Sequence, residues 1–573
     1  MAEIAERSFA GADRAWRGLL SARNLIVLVV AGAIAYLALV PLGFLFEQTF
    51  VRGGHVTVAA FSEAYSAVGL RTMILNSFAF ALGSTALATV VGTALAYLIV
   101  RTDVPLKKLM VVASLVPLII PGILHTIAWI FLASPQIGVF NRQIIHPLTG
   151  HNFDIFSIPG MILVEGLHLA PLVFLLMVAS FRSMDPSLEE SALMSGASLL
   201  TTFRRVTLPL AKPALYAAML ITVVLGLETF EVPALIGLPK HIWVFTSRIW
   251  DVLNAVPPDY GQAGAIAISL LVLTSLGIIL QTRLAKRGRS YQTVTGKGFR
   301  PRPVPLSAWR IPATMAILVY FLIAVVSPLA ILMYASTQPF YSPPSHYTLT
   351  HMSLSNYPLT FHDPLVRTAA KNSAILGVGT ATTVMLMAAV AAWVVVRTRL
   401  RGRWLIDLLA FLPLVVPGLV LGVALLSVYL RVKALPIYGT LWILFIAYLT
   451  RYMPYGMRYA STSMYQIAQE LEESAEVSGA GWWQSFRRVV LPLLMPGLVA
   501  GWIYILIVSV RELGASVLLY SPGKEVLSIA IWEQWRDGSF TELAALAMMM
   551  VGALVVLAGV AYRLGAKIGI REV

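Results

Sequence analysis

"EESALMSGASLLTTFRRVTLPL" runs from Glu189 to Leu210, and "EESAEVSGAGWWQSFRRVVLPL" runs from Glu472 to Leu493. Both stretches hold Glu, Ser, Ala, Gly, Arg and Pro at the same internal spacing. They are polar segments in a chain that is otherwise apolar, with 58% hydrophobic residues, 12% charged residues and a mean hydropathy of +0.80 over 573 residues. That composition exceeds what a soluble core needs, so lipid is the solvent for most of the chain. The decisive feature is a polar module repeated inside a membrane protein.

Working outward, further landmarks repeat. "NSFAFALGSTALATVVGTALAYLIVRT" from Asn76 pairs with "NSAILGVGTATTVMLMAAVAAWVVVRT" from Asn372, and "PLIIPG" from Pro117 pairs with "PLVVPG" from Pro413, both at an offset of 296. At the polar module the offset is 283, so the first half carries 13 extra residues, expected in "SPQIGVFNRQIIHPLTGHNFDIFSIPG". Duplication on this scale is the plan of a transporter built from two repeats.

A membrane-spanning helix takes about 20 apolar residues. About twelve candidates are expected, near 24–46, 72–100, 106–134, 159–181, 211–237, 263–282, 311–335, 371–396, 404–430, 437–460, 493–520 and 541–562. The first is longer than the apolar core of a signal peptide and is read as an uncleaved span. Six spans per half return the chain to its starting side, so the repeats run parallel with a pseudo-twofold axis along the membrane normal. The expected fold class is an all-α membrane protein of two parallel six-helix repeats. Its expected parts are an N-terminal tail (1–23), a first half (24–285) with the polar loop 183–210, a basic Gly/Pro-rich linker (286–309), and a second half (310–573) with the polar loop 464–492.

Basic residues near span ends are retained in the cytoplasm. With both termini inside, 30 of the 42 Lys and Arg residues fall on the inner side, and both polar loops are cytoplasmic. The net charge of +15 is then a topology signal, because no basic stripe interleaved with aromatics suggests nucleic acid. The chain has no cysteine, which excludes disulfides and thiolate metal sites. "TGKGF" at Thr295 and "PGKEV" at Pro522 lack the spacing of a phosphate-binding loop. No catalytic constellation and no metal-ligand cluster is apparent, so the chain is expected to be neither an enzyme nor a cofactor carrier.

Within the first polar loop, "SLEE" at Ser187 has the form of a capping box opening a short helix, and Gly196 sits where a left-handed residue would end it. A second short helix would follow, with Leu199, Phe203 and Val206 on one face and Trp482, Phe486 and Val489 at the matching positions. Pro209 and Pro492 would mark entry to the next span. Two such knobs suit a symmetric dimeric partner, with one Phe or Trp of each buried in it.

Inside the spans, Pro117 and Pro121 recur as Pro413 and Pro417, an expected helix break in each half with a part in gating or simply a kink. Charges at membrane depth are costly, by about 2.5–3.5 kcal/mol on insertion scales. Glu165, His168, Glu228 and Glu231 in the first half, and Arg451, Arg511 and Glu512 in the second, are therefore candidates for the translocation path or for structural ion pairs. Glu228 and Glu231, three apart in the fifth span, would share a helix face.

Glu-Ser-Ala, three residues, Gly, nine residues, then Val-x-Leu-Pro resembles the EAA loop of ABC importer permeases. The matching residues are Glu190, Ser191, Ala192, Gly196 and Pro209, and again Glu473, Ser474, Ala475, Gly479 and Pro492; Ser replaces the commoner Ala in both copies. The resemblance covers nearly the whole chain. It implies a type I importer permease with both halves fused, resident in a bacterial inner membrane. It also implies a dimeric ATP-binding cassette ATPase on the cytoplasmic face, which carries the ATP-Mg chemistry and receives the loop, and a substrate-binding protein on the outer face. "LETFEVPALIGL" and "VRELGASVLL" after the two loops look most like ferric-iron-type permeases. Thiamine permeases are similar in plan, and polyamine, phosphonate and sulfate permeases share the loop. A proton-driven secondary transporter would also have two six-span halves, but it has no reason for paired EAA loops.

Overall fold

The structure, a computed structural model, describes residues 22–66, 69–288, 303–432 and 434–567. Most of the N-terminal tail and residues 289–302 of the expected linker lie outside the described residues. Among those described, the fold is helical, interrupted by one two-stranded antiparallel ribbon, Val51–Arg52 with His55–Val56, and by an isolated bridge between Thr102 and Val304.

Nine helices among the described residues are long and apolar enough to cross a membrane, or eleven if each of two bent pairs is counted as one span. The expected span at 437–460 is the helix Leu441–Gln466, which carries Arg451 and Arg458 and falls outside that set. Both expected breaks are present. Lys107–Ile119 bends by 100° into Gly122–Ala133, and Arg403–Val415 bends by 109° into Gly418–Tyr429. Pro121 and Pro417 cause this. A proline forces the residue before it into extended backbone, and Ile120 (ψ 125°) and Val416 (ψ 111°) adopt it. Pro117 lies inside the helix Lys107–Ile119, and Pro413 opens a short 3₁₀ turn, Leu412–Val415.

The expected spans 211–237 and 493–520 are each cut short. The first helix ends at Glu228, with Thr229 extended at ψ 130°, and the chain resumes as a π turn at Pro233–Gly237. In an α-helix Pro233 would leave the Thr229 carbonyl without its donor, so the helix stops there. The second helix ends at Val510, and Glu512 lies in the irregular segment before Ser516–Leu519. Glu228 and Glu231 therefore do not share a continuous helix face. After these breaks come Phe245–Asn254 and Leu527–Asp537, and then the last long helix of each half, Tyr260–Gly288 and Phe540–Lys567.

The chain divides into two compact units. Among the described residues, one falls within 1–48, 368–527 and 554–573, and the other within 49–367 and 528–553. In the first unit, the long N-terminal helix Ala22–Phe50 meets second-half residues: Tyr36 and Tyr429 hydroxyls are 2.6 Å apart, and Arg431 pairs with Glu47 at 2.8 Å. In the second unit, Leu70–Arg101 packs along Ile158–Ser183, and Leu208–Glu228 packs against both Leu70–Arg101 and Tyr260–Gly288. The segment entering the helix from Arg310 is anchored there too, since the Val304 amide donates to the Arg101 carbonyl at 2.8 Å and the Leu306 amide donates to Asp103 at 2.9 Å.

Candidate functional site

Each polar loop is a short helix, a glycine turn and the start of the next long helix. In the first copy the helix is Ser187–Met194. The capping box expected at Ser187 is not formed: Pro186 occupies the N-cap, and the Ser187 amide donates to Asp185 at 2.9 Å. That amide holds the Asp185 carboxyl below its ordinary range. Gly196 ends the helix at φ +83°, and the Ala197 amide donates to the Ala192 carbonyl at 3.1 Å. The second copy, Glu470–Val477, repeats this with Gly479 at φ +85° and Ala480 donating to Ala475 at 3.0 Å. Positive φ at both positions is what glycine supplies without strain.

The segment after the turn is not a separate helix. Leu199–Glu228 and Trp482–Val510 each run as one helix of 30 and 29 residues. Pro209 and Pro492 are accommodated by π turns at Phe203–Thr207 and Phe486–Val490, which reroute the ladder around the missing amide. The expected apolar face also turns inward. The Phe203 ring lies 4.6 Å from Tyr97, and Trp482 lies 5.3 Å from Trp393, so those rings anchor the loops to the earlier long helices Leu70–Arg101 and Pro364–Arg397.

A different set points outward. Met194 is 90% exposed and its repeat equivalent Val477 is 89% exposed. Leu188 with Leu471, and Leu200 with Trp483, are exposed pairs at matching positions. Ser191 and Glu473 are exposed beside them, and Glu190 is half-buried. Each loop thus exposes three large apolar side chains on a polar knob.

Sequence reasoning passed over Glu189 and Glu472, the carboxylates just before the motif's own glutamates. Glu189 is the one buried residue of its helix. Arg101, at the end of Leu70–Arg101, donates to it through Nη2 at 2.5 Å and Nε at 3.0 Å, and Thr207 donates to its other oxygen at 2.5 Å. In the second copy Arg397 Nε lies 3.7 Å from Glu472, and the Trp393 indole donates to Glu472 at 2.6 Å. Breaking a buried pair by removing one partner costs about 3–5 kcal/mol. The available signal was that both partners recur in both halves.

At the two helix breaks, the glycine after the proline lets polar groups approach the backbone. A Cβ at Gly122 would stand 3.7 Å from the Glu231 carboxyl carbon and 3.7 Å from His168 Nε2. The His168 ring lies 5.2 Å from that of His125, which is 1% exposed, and Thr229 donates to the 2%-exposed Glu165 at 2.8 Å. At Gly418 the equivalent Cβ would stand 3.0 Å from Arg451 Nη1 and 3.2 Å from Glu512 Oε1. Arg451 donates to Glu512 at 3.0 Å, Tyr452 donates to the same carboxylate oxygen at 2.8 Å, and the Ala515 amide donates to the other at 3.1 Å. The candidate charges thus gather into one cluster per unit, with Glu228 and Arg511 at the ends of the interrupted helices. His125 belongs to the first cluster although the sequence did not single it out. Among the described residues no group of three or more His, Asp or Glu side chains could hold a metal ion.

Comparison with known proteins agrees with this architecture. A relative named ferric transport system permease protein FbpB, from Actinobacillus pleuropneumoniae, is 27% identical over 68% of this chain and 56% of its own length, so the chain spans less than two thirds of that protein. A relative named Fe(3+)-transport system permease protein FbpB 2, from Haemophilus influenzae, is 26% identical over 89% of this chain and 93% of its own length. A Salmonella typhi protein whose name assigns it to a 2-aminoethylphosphonate transport system, PhnV, is 31% identical over 29% of this chain and 63% of its own length. Residues 88–290 and 381–568, together more than half of the chain and one stretch from each repeat, match the family described as "Binding-protein-dependent transport system inner membrane component". The chain therefore belongs to that family, as a multi-pass, non-catalytic permease subunit.

Proposed function

We propose that this chain forms the membrane path of an ATP-driven importer for ferric iron, working with a dimeric ATPase at its two polar loops and a binding protein on the opposite face. In this reading both termini and both loops are cytoplasmic, as the distribution of Lys and Arg favours. Met194 and Val477 enter the ATPase, and chemistry on that partner moves the loops.

The asymmetry between the two helix breaks carries the choice of a cation. Arg451 sits 283 residues after His168, at the same place in the repeat. In the second unit that arginine donates to Glu512 at 3.0 Å, whereas the first break gathers two carboxylates, Glu231 and Glu165, with His168 at the place of the arginine. Carboxylate oxygens suit a hard cation in transit, and the name of the Haemophilus influenzae relative, matched over 93% of its length, supports iron. A phosphonate is the second reading, favoured by the Salmonella relative's name and by Arg451 and Arg511.

The test reconstitutes the permease with its ATPase and compares binding proteins loaded with ferric ion or with 2-aminoethylphosphonate. Ferric loading is expected to raise ATP hydrolysis about tenfold over the unloaded protein. Glu231→Gln should remove most of that response while leaving ATPase assembly intact. Stimulation by the phosphonate alone would overturn the cation and leave the importer class standing.

A further inference from the structure

We infer that the Arg101–Glu189 and Arg397–Glu472 pairs are struts that make each polar loop move as one body with the long helix preceding it, so that Glu189 and Glu472 are positioning residues for coupling. The inference rests on the reading that the loops receive the ATPase.

Four segments meet at Glu189. Arg101 closes the helix Leu70–Arg101, and its Nη1 reaches the carbonyls of Phe181 and Met184 at 3.4 and 3.5 Å, at the end of Ile158–Ser183. Glu189 belongs to the loop helix, and Thr207 to the start of the following long helix. The loop helix therefore has a charge as its buried anchor. Apolar contacts are non-directional and allow sliding, whereas an arginine donating twice to a carboxylate fixes both distance and angle. A push on Met194 would reach Leu70–Arg101 through this node without passing along the turn at Gly196.

The second half builds a looser node from other side chains, in which Arg397 Nε stays 3.7 Å from Glu472, beyond hydrogen-bond reach. Arg397 donates to the carbonyls of Met464, at 3.3 Å, and Ile467, at the end of Leu441–Gln466, while Trp393 supplies the donor that Thr207 supplies in the first half. Val490 stands at the place of Thr207 and could not donate. The two nodes differ in closure. The side chains of Arg101 and Glu189 are each 4% exposed, whereas Arg397 and Glu472 line a pocket of about 450 Å³ with Arg23, Gln469, Glu473 and Glu476. The first strut is the stiffer, so its loss should have the larger effect.

The absence of cysteine allows a direct test, since two introduced cysteines can carry spin labels without background. Labels at Ser195 in the loop and at the exposed Val90 of Leu70–Arg101 report the distance across the strut in the assembled transporter. In the wild-type background that distance should stay fixed when ATP is added; in Glu189→Gln it should change. In the same complexes, Glu189→Gln should keep ATPase co-purification and basal hydrolysis but lose about tenfold in stimulation by ferric-loaded binding protein, with Glu472→Gln losing less. Arg101→Gln combined with Glu189→Gln should recover thermal stability and not stimulation. If stimulation per folded complex stays at the wild-type level in Glu189→Gln, or the label distance remains fixed, the strut is only structural and the inference fails. If the wild-type chain does not hold the ATPase at all, the reading of the loops fails instead.

Discussion

Glu512→Ala is expected to yield several-fold less folded protein than the parent chain. The substitution removes the carboxylate that Arg451, Tyr452 and the Ala515 amide all address. It leaves an arginine at membrane depth with no carboxylate at that place, and a buried amide without its acceptor. Removing one member of a buried pair costs about 3–5 kcal/mol, a large share of typical net stability. The measurement is the monodisperse fraction and the melting temperature in detergent. Replacing both charges, Arg451→Leu with Glu512→Leu, should restore much of the yield, because apolar pairs of similar volume often match buried ion pairs in stability. A Glu512→Ala protein with the parent's yield and melting temperature would show that this cluster does not hold the second helix break together.

Placing a charge on the outward face of both loops, Met194→Asp with Val477→Asp, is expected to abolish ATPase association without lowering the amount of permease in the membrane. Both positions are almost fully exposed, so the chain by itself loses nothing by the change. Burying each apolar side chain in a partner is worth roughly 1.5–3 kcal/mol, and an aspartate there adds the cost of desolvating a charge. The summed loss exceeds about 4 kcal/mol, or roughly a thousandfold in affinity. Co-purification with the ATPase measures it. Phe203→Leu should leave association nearly unchanged, since that ring packs on Tyr97 rather than outward. If the double aspartate protein retains its ATPase, the docking surface lies elsewhere.

The repeat carried much of this architecture in plain view. The glycine turns at Gly196 and Gly479 and the breaks at Pro121 and Pro417 are local effects of single residues, so the sequence alone revealed them. The fifth and eleventh spans are present, but their C-terminal ends come earlier than expected, because apolarity is shared by a membrane-crossing helix and by the broken segment that follows it. Pro233 was the one local sign of the earlier stop. The burial of Glu189 rather than Glu190 was hidden for a geometric reason. Neighbours on a helix point about 100° apart, so one carboxylate can face the interior while the next faces out, and spacing within the loop does not say which. Its partner Arg101 lies 88 residues away, beyond the reach of any local pattern. The inward turn of Phe203 and Trp482 was equally illegible, because it depends on Tyr97 and Trp393 in a distant helix.

The central claim is that this chain is a path that does no nucleotide chemistry and is driven through its two loops. Proteoliposomes containing the purified chain, with and without its ATPase subunits and binding protein, test it directly when nucleotide binding and ferric-ion uptake are measured together. The expected result is that the chain alone neither binds nor hydrolyses ATP and accumulates nothing under an imposed proton gradient, while the full assembly takes up ferric ion only when ATP is supplied. Stoichiometric ATP binding by the chain alone, or uptake driven by the proton gradient without the ATPase, would contradict it.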